Sequence, residues 1–331
     1  MRARVVCLLL LCAAVGAGQS NFKGIESISI AGNHYIRLTE WARASGFQLS
    51  WPQKGEPLHL SNHSRRLEFL VDSRKSIIDG ALVWLSLPVL NRGGVALVSL
   101  VDVQSCLEPI VFPRKLPKPL STICLDAGHG GKDSGEIDSR YLEKKYTLLL
   151  ALELAAVLKE RGFHLILTRK SDEFVELTQR AALARHGGAD LFVSLHYNAS
   201  VTPVRGVEVY CLTPAGINSS QQGGGRGGEA TEPGNNQDGQ NIRLAWEVQK
   251  ALVHSLPLED RGVKRARYEV LCQAVMPAIL IEGGYMTDPS DAKRIYDARF
   301  RKRMAVAIAD GISAWGAAGQ ASAALTQKSA N

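Results

Sequence analysis

From Thr122 to Ile281 short apolar runs alternate with helical patterns, and this alternation constrains the fold more than any other feature of the chain. Strand patterns fall at Thr122 to Leu125, His164 to Thr168, Leu191 to Leu195, Val207 to Leu212 and Ala278 to Ile281. Helical patterns fall at Lys144 to Arg161 and Leu177 to His186, and a closing helix covers Arg299 to Trp315. Strands that recur between helices predict the α/β class, a mostly parallel sheet flanked by helices. The helix through Leu148, Leu152, Ala155 and Leu158 is apolar over much of its surface, as a core helix is, and Glu153 within it argues against membrane insertion.

At 331 residues the chain has room for one large and one small domain. Residues 21–112 read as the small one, an α+β domain. It has a short helix pattern at Leu38 to Ser45 and strand patterns at Leu58 to Leu60, Leu67 to Val71 and Ala81 to Leu85. Two of its stretches echo each other: Tyr35-Ile36-Arg37-Leu38-Thr39-Glu40-Trp41 and Leu97-Val98-Ser99-Leu100-Val101-Asp102-Val103 each run from a strand into a helix. In this spacing the segment resembles the copper amine oxidase N-terminal-like domain. No copper ligands gather in it, so the resemblance implies a module that positions the protein or binds the wall. Pro113, Pro117 and Pro119, mixed with Arg114, Lys115 and Lys118, predict a semi-rigid linker over 113–120. The large domain then spans 121–316, and 317–331, small and polar, reads as a flexible tail.

The first residues carry Arg2 and Arg4, then an apolar run from Val5 to Ala17, then small residues up to Gly18. A secretory signal peptide over 1–18 fits this pattern. Roughly 13 apolar residues fall short of the ~20 that a spanning helix requires, so no stable membrane anchor is expected after cleavage. The destination is the periplasm, the cell wall or the outside of the cell. Loss of Arg2 and Arg4 leaves the protein two charges less basic than the full chain's +7, yet still positive. A basic exported protein suits a polyanionic envelope surface. Nucleic acid is not an expected partner, because no basic run with interleaved aromatics is present. Cys106, Cys124, Cys211 and Cys272 remain after cleavage, widely spaced, and read as buried thiols in a chain able to bury a core without staples.

Three strand patterns end in ionisable residues. Leu125-Asp126-Ala127-Gly128-His129 follows the first, His196 ends another after Ser194-Leu195, and Glu282 follows Ile281. Ligands of open α/β sheets sit at the carboxyl ends of the strands, so these residues are placed to converge. Glu143, fourteen residues after His129, opens the long helix where a loop can swing it back over the same edge. His129, Glu143 and His196 then form a three-ligand zinc set that leaves a fourth position open, as catalytic sites do. Each has an ordinary explanation alone: a turn histidine, a strand-end histidine, a carboxylate favoured by the helix dipole. Glu282 is harder to explain away, because an unpaired carboxylate after Ala278-Ile279-Leu280-Ile281 is very unfavourable without a cation nearby.

The same segments resemble the zinc-dependent N-acetylmuramoyl-L-alanine amidase family. The resemblance runs through Leu125 to Gly135, Leu142 to Lys145, Ser194 to Ala199, Arg261 to Lys264, Val270-Leu271 and Met276 to Glu282, in the family's order, over nearly all of 121–316. It implies one Zn2+ ion held by His129, Glu143 and His196, with Glu282 as the catalytic carboxylate. It further implies peptidoglycan as substrate, cut between the lactyl group of muramic acid and the first L-alanine, with an envelope activator protein as a candidate partner. Two other readings are a zinc peptidase acting within the stem peptide and a non-catalytic wall-binding or activator protein. Asp126 is the expected partner orienting His129. After Glu282 the chain has Gly283-Gly284-Tyr285-Met286-Thr287-Asp288, where the family more often carries a bulky residue, glycine, phenylalanine and a Ser-Asn pair. Groove shape is expected to differ there. Pro214 to Gln240, rich in glycine, serine, asparagine and glutamine, reads as a flexible insertion, too poor in helix formers to plug the site through Glu229 or Glu232.

Overall fold

The computed structural model describes residues 24–51, 56–225, 227 and 231–328, with side chains through 317. The leader expected at 1–18 lies outside the described residues. Among those described, no helix is long and apolar enough to cross a membrane.

The first half is built on antiparallel strands. In chain order it comprises β1 (Ile28–Ile30), β2 (Asn33–Arg37), α1 (Leu38–Ala44), β3 (Gln48–Ser50), β4 (Leu58–Ser61), β5 (Arg66–Phe69), β6 (Ser73–Ile78), β7 (Ala81–Arg92) and β8 (Val95–Ser99). It ends with α2 (Leu100–Asp102), a π-helical turn over Val103–Leu107 and α3 (Glu108–Val111). The two echoing stretches of sequence are β2 running into α1 and β8 running into α2, and they pair with each other: Tyr35 faces Ser99 and Arg37 faces Leu97. Alternation along β4 and β5 buries Leu58, Leu60, Leu67 and Phe69 on one face, the two-residue period that a half-covered sheet requires.

The second half holds β9 (Thr122–Ala127), the hairpin β10 (Ile137–Asp138) and β11 (Tyr141–Leu142), α4 (Glu143–Glu160), β12 (His164–Leu167), α5 (Leu177–His186), β13 (Leu191–Asn198) and β14 (Val207–Leu212). It continues with α6 (Asp238–Ser255), β15 (Asp260–Ala266), α7 (Glu269–Cys272), β16 (Ala278–Tyr285), α8 (Pro289–Tyr296) and α9 (Ala298–Lys328). Strands β12, β9, β13 and β16 are parallel neighbours, whereas β14 runs antiparallel to β16 and parallel to β15, so the sheet is mixed. Helices α4, α6 and α9 cover one face through Leu150, Leu154, Leu244, Ile308 and Ile312. On the other face α5 and α7 cover Phe192, Tyr210 and Leu280. Because both faces are covered, the central strands read as continuous apolar runs.

The two halves share one sheet. Strand β7 continues it beyond β15, with Val83 paired to Val263, and one hydrophobic core runs from Trp41 to Trp315. Polar ties cross the same junction. Trp84 Nε1 donates to the Arg261 carbonyl at 2.9 Å and Trp246 Nε1 to that of Ile78 at 3.0 Å, while the Leu82 amide donates to Asp260 Oδ2 at 2.8 Å. The proline-rich segment between α3 and β9 packs Leu116 and Leu120 against that core.

Two expectations are corrected, and one strand was not foreseen. The described residues of Pro214 to Gln240 are not a loose insertion: they form 3-10 turns at Ser220–Gln222 and Pro233–Gln237, bury Ile217 and Gly234, and end inside the first turn of α6. Their side-chain amides and hydroxyls bond the backbone that their apolar content cannot bury. Residues from 317, expected to form a flexible tail, continue α9 to Lys328, consistent with the high helix propensity of their many alanines. Strand β15 has no apolar pattern in the sequence, because Asp260, Arg261, Lys264 and Arg265 mask it. Cys106, Cys124, Cys211 and Cys272 are all buried, as expected, and no disulfide joins them.

A junction made of a shared strand pair and a common core predicts that the whole chain melts as one cooperative unit. Thermal unfolding followed by far-UV circular dichroism and by tryptophan fluorescence should give coincident transitions. Two separated transitions would show that the halves fold independently.

Candidate metal centre

The carboxyl ends of β9 and β13 and the start of α4 bring His129, His196 and Glu143 together. His129 leaves β9 on a glycine-rich turn with φ of 61°, left-handed backbone that costs a non-glycine residue roughly 1–2 kcal/mol. Buried cations stabilise that turn: Arg169 donates to the carbonyls of Ala127 (2.9 Å) and Gly128 (2.8 Å), and Arg180 to those of Ala127 (2.9 Å) and His129 (3.0 Å). Gly128 is obligatory for a different reason, since a Cβ there would lie 2.3 Å from the His196 ring. Parallel pairing of β13 with β16 sets His196 directly beside Glu282.

Glu143 is the hub. Its Oε1 lies 3.0 Å from His129 Nε2 and 3.2 Å from His196 Nδ1 and accepts from the Tyr197 amide at 3.0 Å, while Oε2 accepts from the Glu136 amide at 2.9 Å. One ligand atom from each of the three residues lies within 4.8 Å of the other two. A tetrahedral zinc ion with bonds of about 2.0–2.2 Å needs ligand atoms roughly 3.3–3.6 Å apart, so the donor set fits it in type, and the 3.0 and 3.2 Å spacings about Glu143 lie close to that value. Burial opposes the Glu143 charge, but the hydrogen bonds and charges of both imidazoles outweigh it and hold the carboxyl well below its usual range. Burial likewise works against a charged His129, and Glu143 followed by Asp133 reverses the balance and raises its pKa.

Asp133, not Asp126, orients His129. Its Oδ2 lies 2.9 Å from His129 Nδ1 and its Oδ1 accepts from the Gly135 amide at 3.1 Å. Asp126 points beneath the site instead, where it accepts from Thr168 (2.7 Å), Ser194 (2.7 Å) and Arg180 (2.8 Å). The signal for Asp133 is present in the sequence, as a carboxylate four residues beyond the histidine on a turn of glycines. Arg169 and Arg180 carry no such signal, because a buried arginine reads as a surface residue until its partners are known.

Glu282 lines a cavity of about 170 Å³ together with His129, Asp133, His196, Leu177, Tyr268 and Leu280. The carboxyl is buried and its Oε2 has no hydrogen-bond partner among the described residues. Burial, then the negative charges of Glu143 and Glu208, push its pKa well above the usual carboxylate value, against the pull of Lys264. Glu232 caps its own 3-10 turn rather than entering the cavity, and Glu229 lies outside the described residues.

A triad that could hold a metal ion at the carboxyl edge of a helix-covered sheet, with a separate buried carboxylate across the cavity, matches the layout of a metal-dependent hydrolase. Comparison with known proteins narrows the class. Residues 123–314 match the family model described as N-acetylmuramoyl-L-alanine amidase, and the chain belongs to that family. Among curated relatives it is 32% identical to the uncharacterised protein YqiI of Bacillus subtilis, over 71% of this chain and 98% of that one. It is 34% identical to the N-acetylmuramoyl-L-alanine amidase LytC of the same organism, over 60% of this chain and only 36% of LytC. Among solved structures the amidase AmiC2 of Nostoc punctiforme aligns with a TM-score of 0.50 and 33% identity, over 59% of this chain and 96% of that one. The catalytic domain of CwlV from Bacillus (Paenibacillus) polymyxa aligns with a TM-score of 0.50 and 30% identity, over 59% and 98%. The family is generally zinc-dependent.

Replacing the carboxylate that fixes the His129 ring should weaken metal binding without removing a ligand. Asp133→Asn is expected to lower zinc affinity by about 10–100-fold, the usual effect of losing such a partner. Competition with a chromophoric chelator measures this, and an unchanged affinity would show that Asp133 does not orient the ring.

Proposed function

We propose that this protein is an exported N-acetylmuramoyl-L-alanine amidase that cuts peptidoglycan between the muramic acid lactyl group and the L-alanine of the stem peptide. It does so with one zinc ion held by His129, Glu143 and His196 and with Glu282 as the proton-transfer group. The observation that carries this reading is the Glu282 carboxyl, buried in the wall of the cavity with an oxygen that no group among the described residues satisfies. Such a group is costly to keep unless it has a chemical role.

A zinc ion at this triad supplies Lewis acidity, which lowers the pKa of water toward about 7 and polarises a carbonyl oxygen. The residues of the chain do the rest. Asp133 holds the His129 imidazole in fixed orientation through its other ring nitrogen. Glu282 takes a proton from the attacking water as the oxygen–carbon bond forms, then delivers it to the amide nitrogen as the carbon–nitrogen bond breaks. Burial and the neighbouring charges of Glu143 and Glu208 raise its affinity for a proton above that of an exposed carboxylate, which suits a group that accepts and then passes on a proton. Leu177, Val270 and Leu280 give the cavity an apolar side suited to the methyl groups that flank the scissile amide. Export to the periplasm or wall follows from the leader pattern, and the first half is read as a module that positions the enzyme on its polymer.

Digestion of purified peptidoglycan by the whole zinc-loaded chain, with and without a chelator, tests the assignment by mass analysis. Fragments with a free L-alanine amino terminus and intact muramic acid are expected, and chelation should abolish them. Cleavage inside the stem peptide would identify a peptidase instead. In the same assay Glu282→Gln should retain zinc and lose about 10²–10⁴-fold in rate, and a fully active, zinc-loaded variant would refute the role given to Glu282.

A further inference from the structure

Residues 133–143 leave the metal centre at Asp133, whose carboxylate meets His129 Nδ1 at 2.9 Å, and return to it at Glu143. Between these ends the chain forms the hairpin of β10 and β11, a two-stranded sheet separate from the large one. Its register pairs Ile137 with Leu142 and Asp138 with Tyr141, and Ile137 is 55% exposed. A two-stranded hairpin is marginal in water unless something packs against it. Yet the base of this one sets the aim of Glu143. The Glu136 amide donates to Glu143 Oε2 at 2.9 Å, and the Glu143 amide donates to the Glu136 carbonyl at 2.9 Å. With Oε2 so held, Oε1 faces both imidazoles.

A side chain from α8 holds the hairpin in place. Tyr296, the last residue of that helix, donates its hydroxyl proton to Asp138 Oδ2 at 2.8 Å. Its ring stacks on Tyr141 with centroids 3.9 Å and planes 16° apart, and it meets Tyr146 of α4 at 4.7 Å. Tyr296 thus grips one residue from each strand, and the two are register partners. The helix is itself fixed at its other end. Asp288 caps it by accepting from the Ser290 and Asp291 amides, and Asp291 Oδ2 accepts from the amides of Gly206 at 2.7 Å and Tyr285 at 3.1 Å. Tyr285 ends β16, the strand that carries Glu282. Helix α8 is therefore a strut from the end of that strand to the hairpin beside Glu143.

We propose that Tyr296 is a positioning residue of the metal centre: by pinning the β10–β11 hairpin to α8 it presets the Glu136 amide, and through it the Glu143 carboxylate, for the metal ion. This rests on the reading of His129, Glu143 and His196 as zinc ligands. A site preset in the zinc-free chain takes up the ion without first ordering the hairpin. Apparent affinity then scales with the fraction of chains in which the hairpin is seated.

The test titrates zinc into the whole metal-free chain in competition with a chromophoric chelator. Tyr296→Phe keeps the stack and removes only the hydroxyl, so zinc affinity should fall by about three- to tenfold, the size of one hydrogen bond. Asp138→Ala should give a fall of similar size and add nothing in the Tyr296→Phe background, because the two residues act through one bond. A residue that merely stabilised the fold would lower the melting temperature and leave the affinity of the folded chain as it was. An unchanged zinc affinity for Tyr296→Phe therefore overturns the proposal, and multiplicative losses in the double variant overturn the route through Asp138. If Tyr296→Phe fails to fold, an unchanged affinity for Asp138→Ala overturns the proposal alone. A wild-type chain that takes up no zinc overturns the metal-centre reading together with this proposal, whereas a zinc-binding wild type with indifferent variants overturns only this one.

Discussion

Everything at the site depends on three backbone carbonyls that leave the end of β9. Ala127 ends β9 and the chain turns through Gly128 to the half-buried His129, so these carbonyls are met by side chains from neighbouring elements. Unsatisfied, each would cost about 1–3 kcal/mol. Arg169 and Arg180 reach in from β12 and α5 and satisfy all three, while Asp126 accepts from Arg180 and from hydroxyls of two neighbouring strands. The cost of burying guanidinium groups is offset by this set of charge-assisted bonds. Only with the turn so held can His129 keep its left-handed backbone and turn Nε2 toward Glu143.

Three glutamates then crowd one edge of the sheet, and the structure treats each differently. Glu143 sits between two imidazoles, which favour its charge. Glu208, next in register to Glu282, is surrounded by Lys264, Arg261, Asn198 and the hydroxyls of Tyr210 and Tyr285. Glu282 lies between these two and has neither arrangement, so repulsion and burial raise its affinity for a proton. Carboxylates whose environments are driven apart in this way are suited to different tasks, here the proposed ligand, a structural charge and the proposed proton carrier.

The junction with the first half is part of the same construction. Strand β15 is an inner strand only because β7 covers its outer edge, and the charged residues that hide it in sequence are the ones the junction uses: Asp260 receives the Leu82 amide, and Arg265 reaches Ser105 and Leu212. The segment from Pro214 to Gln240 rests on both halves, which is why a stretch too poor in apolar residues to form a core of its own is nonetheless ordered where it meets them.

The sequence by itself determined the α/β alternation, the strand ends that carry His129, His196 and Glu282, the helix start that carries Glu143, and the burial of the cysteines. These are legible because hydrophobic period and strand-end position are local properties. It misassigned Asp126, because which way a carboxylate faces across a sheet depends on what packs beneath it, and it missed β15, Arg169 and Arg180, because buried ionic residues look like surface ones until their partners are known. The continuation of the sheet from β15 to β7 and the reach of Tyr296 to Asp138 were decided by tertiary structure alone. Both join residues distant along the chain by backbone and side-chain hydrogen bonds that leave no periodic trace in the sequence.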